Sequence, residues 1–186
     1  MTCIVGIKDK ESHRVVIGGD SAASAGSSYN LRKDPKVFKN GDFLFGCTAS
    51  FRMMQLLRFS FRPPIIKEGI DIYEYMCTDF INEVRKCFSE GGYLQKDTDG
   101  SELGGCFLVG YKDRLFTVEG DFQVAENIDE FHSIGCGADF ALGALALLSQ
   151  ISIKETLIEN KVKMALEVAE HFALGVRSPF VIDKTD

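Results

Sequence analysis

The sequence lacks the features that direct a chain to a membrane or a nucleic acid. No apolar run approaches the roughly 18 residues of a membrane span, and the N-terminus lacks the basic start and long apolar centre of a signal peptide. The formal net charge is −6, whereas nucleic acids and anionic lipids select for clustered Lys and Arg. These absences predict a cytoplasmic protein with neither a membrane nor a nucleic-acid partner.

The sequence also lacks a cysteine framework, internal repeats and low-complexity tails. No C-x-x-C pair and no His at zinc-finger spacing accompanies its cysteines, so neither a metal nor another cofactor is predicted. We expect all six to be reduced core residues: Cys3, Cys47, Cys77, Cys87, Cys106 and Cys136. The length of 186 residues fits one domain, 1–186.

What the sequence does contain, at its very start, is the pattern of a β-hairpin. An apolar run follows Met1, breaks at the polar residues 9–13, resumes over 14–19 and ends on Asp20. Val, Ile and Thr favour strands, and a polar break of this length reverses the chain. Antiparallel pairing returns the second strand to the start of the first, so the pattern predicts that Thr2 and Asp20 lie at the same end of the hairpin.

The rest of the chain alternates between paired strands and paired helices. Asn40-Gly41 predicts a tight turn between two strands, and residues 21–35 and 91–105 are predicted as connections, the first with one short strand. The predicted strands are 37–38, 43–48, 106–111, 115–119, 131–134 and 180–182, and the predicted helices are 49–61, 70–88, 138–148 and 152–174, the last with a capping box at Ser152 and Glu155. This order favours an α+β fold with two antiparallel sheets covered by helices.

Thr2 is the candidate nucleophile, because an N-terminal Thr can use its own α-amine as the general base for its hydroxyl. Asp20 ends the partner strand, Lys36 opens the next strand, and Gly46 lies in a buried strand. A cation can hold a nearby amine neutral, and a glycine N–H can stabilise an oxyanion. Each residue also has a plainer interpretation: Thr2 as a strand start, Asp20 as a turn cap, Lys36 as a solvated strand start and Gly46 as a packing site.

Five segments, in order, resemble the proteasome β-subunit and HslV peptidase family of N-terminal nucleophile hydrolases. They are T-C-I-V-G-I at 2–7, V-V-I-G-G-D-S at 15–21, K-V-F at 36–38, F-G-C-T-A at 45–49 and S-I-G-C-G-A-D-F-A-L-G-A at 133–144. The resemblance implies a four-layer αββα sandwich, removal of everything before the Thr, and peptide-bond hydrolysis inside a ring-shaped chamber of identical subunits.

By position, the resemblance makes Thr2 both nucleophile and base, Asp20 and Lys36 an orienting charge pair, and Gly46 the oxyanion donor. Two positions depart from the family pattern. Cys136 stands where the family usually has Ser in a Gly-Ser-Gly turn. His171 stands where an Asp usually lies near the end of the last helix, which would alter the hydrogen bonds around the amine.

Three functions fit these observations. The first is a self-assembling threonine endopeptidase that acts on peptides or unfolded proteins, with an ATP-dependent unfoldase as a partner implied by the resemblance. It requires removal of Met1, because the Thr2 amine must be free. The second is a non-catalytic structural ring subunit, which the departures at Cys136 and His171 allow. The third is an N-terminal nucleophile amidase acting on a small amide.

Cys3, a rival nucleophile, is expected on the opposite strand face from Thr2 and in the core.

Overall fold

A computed structural model describes residues 1–25, 28–96, 102–150 and 157–186. The described strands are β1 (Cys3–Asp9), β2 (Arg14–Gly19), β3 (Ala22–Ala25), β4 (Ser28–Leu31), β5 (Val37–Asn40), β6 (Phe43–Cys47), β7 (Gln95–Lys96), β8 (Glu102–Leu103), β9 (Phe107–Tyr111), β10 (Arg114–Val118), β11 (Val124–Ala125), β12 (Phe131–Gly135) and β13 (Val181–Lys184). The described helices are α1 (Phe51–Gln55), α2 (Ile72–Tyr75), α3 (Ile81–Glu90), α4 (Ala138–Gln150) and α5 (Ile158–Phe172). None of these helices is long and apolar enough to cross a bilayer.

Two larger antiparallel sheets form the centre of the molecule. The first has the strand order β12-β1-β2-β13, and the second has the order β11-β10-β9-β6-β5. In the first sheet, Ile4 of β1 pairs with Gly19 of β2, which sets Cys3 opposite Asp20. The predicted hairpin is confirmed, and its open end brings Thr2 and Asp20 to one edge of the sheet.

Strand alternation divides the apolar side chains into three layers. Ile4 and Ile17 lie between the two sheets, packed on side chains such as Leu44 and Leu108 of the second sheet. Cys3, Val5 and Ile7 point the other way and pack against α4 and α5. A third cluster, which includes Phe45, Phe80 and Phe107, lies between the second sheet and α1–α3. The result is the four-layer αββα sandwich that the resemblance implied.

Two predicted helices are single runs in the sequence but composite in the structure. α1 continues into a π-helical turn at Leu56–Ser60, and another π-helical turn at Met76–Phe80 joins α2 to α3. Ser50 and Asp71 cap the starts of α1 and α2 by accepting backbone N–H groups of the first turn. Periodicity therefore located both helices but could not show the wider turns within them.

Several boundaries differ from the sequence prediction. Residues 21–35 contain a complete hairpin, β3–β4, where the sequence predicted one short strand. The prediction fell short because Ala and Ser give a weak strand signal even where the backbone pairs. The connection 91–105 contains the short pair β7–β8. α5 begins only at Ile158, because Leu157 is extended at φ −54° and ψ 146°. The predicted capping box at Ser152 and Glu155 lies outside the described residues.

The turn between β5 and β6 is shifted by one residue from its predicted centre. Asn40 pairs with Phe43, so the two-residue loop is Gly41-Asp42, with Gly41 at a φ of +58°. The Asn40 side chain instead donates to the Leu57 and Phe61 carbonyls at 2.7 and 3.0 Å. Asn40 thus satisfies carbonyl groups at the end of a π-helical turn, which have no partner within the helix.

Candidate active site

Thr2 lies at the open end of the β1–β2 hairpin and is 4% exposed. Its Oγ1 accepts a hydrogen bond from Lys36 Nζ at 2.9 Å and donates to the Met1 carbonyl at 2.5 Å. Its backbone N–H donates to Cys136 Sγ at 3.2 Å. A hydroxyl, an ammonium and a thiol therefore meet at the first peptide bond of the chain.

Lys36 and Asp20 form a buried ion pair behind the Thr2 hydroxyl. Lys36 Nζ lies 2.8 Å from Asp20 Oδ1, and the two side chains are 2% and 0% exposed. Burial lowers the pKa of the Lys36 ammonium below its ordinary value, and the attraction of Asp20 opposes that shift. Lys36 is thus a buried cation aimed at Thr2 and not a solvated strand start.

Backbone N–H groups hold the Asp20 carboxylate from several sides. It accepts hydrogen bonds from the N–H groups of Cys3 at 3.0 Å, Ala22 at 2.9 Å and Arg177 at 3.4 Å. The bond from Ala22 is the turn cap of the plainer interpretation, so Asp20 both caps a turn and pairs with Lys36. Charge-assisted bonds of this kind fix the carboxylate in one orientation.

The segment Gly135–Gly137 encloses the backbone of Thr2. Gly135 has a φ of +99°, and a Cβ at this position would fall 2.3 Å from the Thr2 carbonyl oxygen. The Gly137 N–H donates to that same oxygen at 3.3 Å. Only glycine fits at Gly135, and the close approach places Cys136 beside the Thr2 nitrogen.

Gly46 lies between the two sheets, where a Cβ would approach the Ile4 and Ile17 methyl groups to 2.5 and 2.6 Å. The next two residues donate to opposite neighbouring strands. The Cys47 N–H donates to the Lys36 carbonyl, on the β5 side, and the Thr48 N–H donates to the Cys106 carbonyl, on the β9 side. Alternation along the strand therefore directs the Gly46 N–H to β9, where Gly46 pairs with Leu108. These contacts support the packing interpretation of Gly46.

Ala49 supplies a backbone N–H that the sequence analysis missed. It follows β6 directly and has a φ of +61°, which is unusual for a residue with a side chain. Within the described ranges, no hydrogen bond uses its N–H. The Thr48 methyl group lies 3.3 Å from the Cβ position built on Gly135, beside Thr2. The sequence analysis selected Gly46 because it is a glycine, but the residue here with a left-handed backbone is Ala49.

Substitutions at Gly46 and Ala49 should change the stability of the fold in opposite directions. Gly46→Ala overpacks the layer between the sheets and should lower the free energy of unfolding by about 1–3 kcal/mol. Ala49→Gly relieves the left-handed backbone and should raise it by about 0.5–1 kcal/mol. Urea unfolding of both variants measures these changes. Equal destabilisation by both would contradict the geometry given for Ala49.

His171, the second departure from the family pattern, does not join the site. Its side chain is exposed near the end of α5, where its ring packs edge-on against Phe172 with centroids 4.6 Å apart. Within the described part of the chain, no hydrogen bond or ion pair links it to Thr2, Asp20 or Lys36.

The segment after α5 contacts Asp20, Met1 and Cys136, and the sequence analysis did not predict these contacts. The Arg177 N–H contacts Asp20, and a Cβ on Gly175 would lie 2.2 Å from Met1 Cβ and 3.0 Å from Cys136 Sγ. Only the glycine at 175 is a signal in the sequence, and it is compatible with many other loops.

Cys3 lies in the core, as expected. Its side chain packs toward α4 and α5, and its Sγ lies 3.6 Å from Ser133 Oγ. Burial raises the pKa of the Cys3 thiol to about 12, which leaves it protonated at neutral pH.

The whole chain is similar to solved structures of proteasome-like proteins. It is 18% identical to Thiobacillus denitrificans BPH in complex with epoxomicin, with a TM-score of 0.81 over 100% of this chain and 98% of that one. It is 18% identical to HslV from Trypanosoma brucei (TM-score 0.68, 98% of both chains). It is 14% identical to Anbu, an ancestral beta-subunit from Yersinia bercovieri (TM-score 0.64, 99% of this chain and 81% of that one).

By sequence, no family model and no curated protein matches the chain. At these identities the structural likeness establishes the fold. The αββα layers, the antiparallel sheets and the full-length superpositions agree with one another. The chain therefore has the fold of the HslV-like, proteasome-related hydrolases with an N-terminal nucleophile.

Proposed function

We propose that this protein is a threonine endopeptidase whose nucleophile is Thr2 after removal of Met1. One observation carries the proposal: the buried Lys36 ammonium, paired with Asp20, donates a hydrogen bond to the Thr2 hydroxyl. Holding an ammonium out of water is unfavourable unless it is paired. Here the Lys36 ammonium is paired with Asp20 and also contacts the Thr2 hydroxyl. A hydroxyl in that position is acidified by the neighbouring positive charge.

The proposed reaction proceeds through an acyl-enzyme. The free Thr2 amine takes the hydroxyl proton as Oγ1 attacks the scissile carbonyl carbon, and the amine then delivers that proton to the leaving nitrogen. The substrate acyl group is left as an ester on Oγ1. The amine next removes a proton from water, which attacks the ester and releases the acid, returning the proton to Oγ1.

The developing oxyanion needs a preorganised donor that is not already bonded. We assign this role to the Ala49 N–H in place of Gly46, because the Gly46 N–H faces a neighbouring strand. Asp20 orients Lys36, and Cys136 accepts the hydrogen bond from the Thr2 nitrogen, the place that Ser takes in the family pattern.

Met1 decides whether this chemistry is available. While the bond between Met1 and Thr2 is intact, the Thr2 nitrogen is an amide and cannot accept a proton. The Met1 side chain is 57% exposed and lies over Gly175. Its removal would also uncover the Thr2 hydroxyl, which is buried beneath it.

The proposal includes the assembly and setting that the family resemblance implies. Identical subunits would enclose the sites in a ring-shaped chamber in the cytoplasm, and an ATP-dependent unfoldase would supply unfolded polypeptide. Exposed apolar side chains on α4, on α5 and directly after α5 are compatible with burial between subunits. They are Phe140, Leu147, Phe172 and Leu174.

Blocking the N-terminus should abolish activity and labelling together. Epoxomicin is bound in one of the similar structures, so we expect it to form an adduct on the N-terminal peptide of protein lacking Met1. A matched chain with a non-cleavable extension before Met1 should form no adduct and hydrolyse no peptide. Intact mass detects the adduct, peptide mapping locates it, and hydrolysis of fluorogenic peptides measures the activity.

The comparison also separates the alternative functions. Correctly processed protein that neither hydrolyses peptides nor forms the adduct would favour the structural subunit. Hydrolysis that persists in the extended chain would contradict a mechanism that uses the Thr2 amine.

A further inference from the structure

The segment 173–180 connects α5 to β13 and holds two parts of the site at once. The Arg177 N–H donates to Asp20 Oδ2 at 3.4 Å, and Gly175 packs against Met1 and Cys136. The other side of the segment is tied to Ser21. The Ser21 N–H donates to the Arg177 carbonyl at 3.0 Å, and Ser21 Oγ donates to the Pro179 carbonyl at 2.6 Å. The position of this segment therefore affects Asp20 and Cys136 together.

The Arg177 side chain fixes the bend at the start of this segment. Its Nη1 lies within hydrogen-bonding distance of the carbonyl oxygens of Glu170 at 3.4 Å, Ala173 at 3.3 Å and Val176 at 2.6 Å. Carbonyls in the last turn of a helix have no partners within the helix and carry its negative dipole end. A guanidinium at this point neutralises the helix end and joins it to the residues that follow.

The same guanidinium also reaches the β3–β4 hairpin. Its carbon lies 5.6 Å from the centre of the Tyr29 ring, a distance at which a cation and an aromatic face attract. Arg177 thus connects α5, the segment after it and β4, while its own N–H meets Asp20. A planar guanidinium is suited to such simultaneous contacts, and a lysine ammonium is not.

We propose that Arg177 is a positioning residue for the site. It does not touch Thr2. Its guanidinium holds the segment 173–180 in place, and the segment in turn holds one N–H on Asp20 and one backbone surface on Cys136. The kinetic part of this inference rests on the proposed peptidase function, whereas the structural part does not.

Arg177→Met removes the guanidinium but keeps much of the side chain's volume. Cys136 is exposed and not in the core, but Gly175 covers one side of its Sγ. We expect the rate of its alkylation by iodoacetamide to rise several-fold when this covering surface becomes mobile. We also expect kcat for peptide hydrolysis to fall roughly tenfold with a smaller change in KM, equivalent to ~1.4 kcal/mol of transition-state stabilisation. Arg177→Lys should restore only part of each property.

Arg62 offers a matched control. Its Nη1 donates to the Phe59 and Phe61 carbonyls, each at 3.0 Å, at the end of a different helical segment. Arg62→Met therefore removes a comparable arginine and should leave both Cys136 alkylation and kcat unchanged. Peptide mapping by mass spectrometry assigns the alkylation to Cys136, and Cys136→Ser should eliminate that signal.

The two readouts distinguish the two proposals. An alkylation rate in Arg177→Met equal to that of wild type and Arg62→Met would overturn the positioning role. Faster alkylation in a protein whose wild type hydrolyses no peptide would overturn the peptidase function and leave the positioning role standing. If Arg177→Met does not fold, the same comparison is made with Arg177→Lys, for which an unchanged alkylation rate is again the contradicting result.

Discussion

Replacing Thr2 by Ala is expected to reduce peptide hydrolysis by a factor of about 10⁴ or more while the fold persists. Loss of an activated nucleophile removes the covalent pathway altogether, and in well-studied hydrolases the effect reaches about 10⁶ in kcat. Stability should fall much less, by about 1 kcal/mol, because Lys36 loses one hydrogen-bond acceptor but keeps Asp20. Steady-state hydrolysis and urea unfolding measure the two effects separately.

Two controls make the result specific to the hydroxyl at the terminus. Thr2→Ser keeps an oxygen beside the amine and should retain measurable hydrolysis. Thr78→Ala removes an exposed hydroxyl that donates to the Glu74 carbonyl within its own helical segment, and it should leave kcat unchanged. Activity that survives Thr2→Ala at the level of Thr78→Ala would show that another group carries out the reaction.

Local sequence patterns predicted the parts of the fold that depend on nearby residues. The β1–β2 hairpin follows from two apolar runs separated by a polar break, and its register alone brings Thr2 to Asp20. Only one short strand was predicted in the region of the β3–β4 hairpin, because its strands consist largely of small polar and alanine residues, whose pairing depends on the surrounding structure. The start of α5 was placed too early because helical periodicity does not reveal an extended Leu157.

The candidate site shows the same division between local and tertiary information. Lys36 could be identified as a candidate, but its burial against Asp20 depends on how the two sheets stack. Gly46 was chosen for its residue type, whereas the direction of the Ala49 N–H depends on strand register and on a left-handed backbone. His171 was aligned by counting residues, and the segment around Arg177 took its place for reasons that only the folded chain reveals.

The buried pair of Asp20 and Lys36 should show strong energetic coupling in a double-mutant cycle. Asp20→Asn keeps an acceptor oxygen for backbone N–H groups but leaves the Lys36 ammonium buried without a counter-charge, which should cost about 3–5 kcal/mol. Lys36→Met should cost less, because three backbone N–H groups still bond to the Asp20 carboxylate. The double variant contains no buried charge and should be more stable than Asp20→Asn alone.

The pH dependence of Asp20→Asn provides an independent check on the same pair. Burial already lowers the pKa of Lys36, and removing Asp20 takes away the attraction that opposes this shift. Between the folded-state pKa of Lys36 and its unfolded value of about 10.4, the unfolded chain binds more protons, so stability rises with pH. Urea unfolding at pH 7 and pH 9.5 should therefore show Asp20→Asn recovering stability relative to the double variant. A gap between the two that is independent of pH would indicate that the destabilisation comes from lost packing and not from an unpaired ammonium.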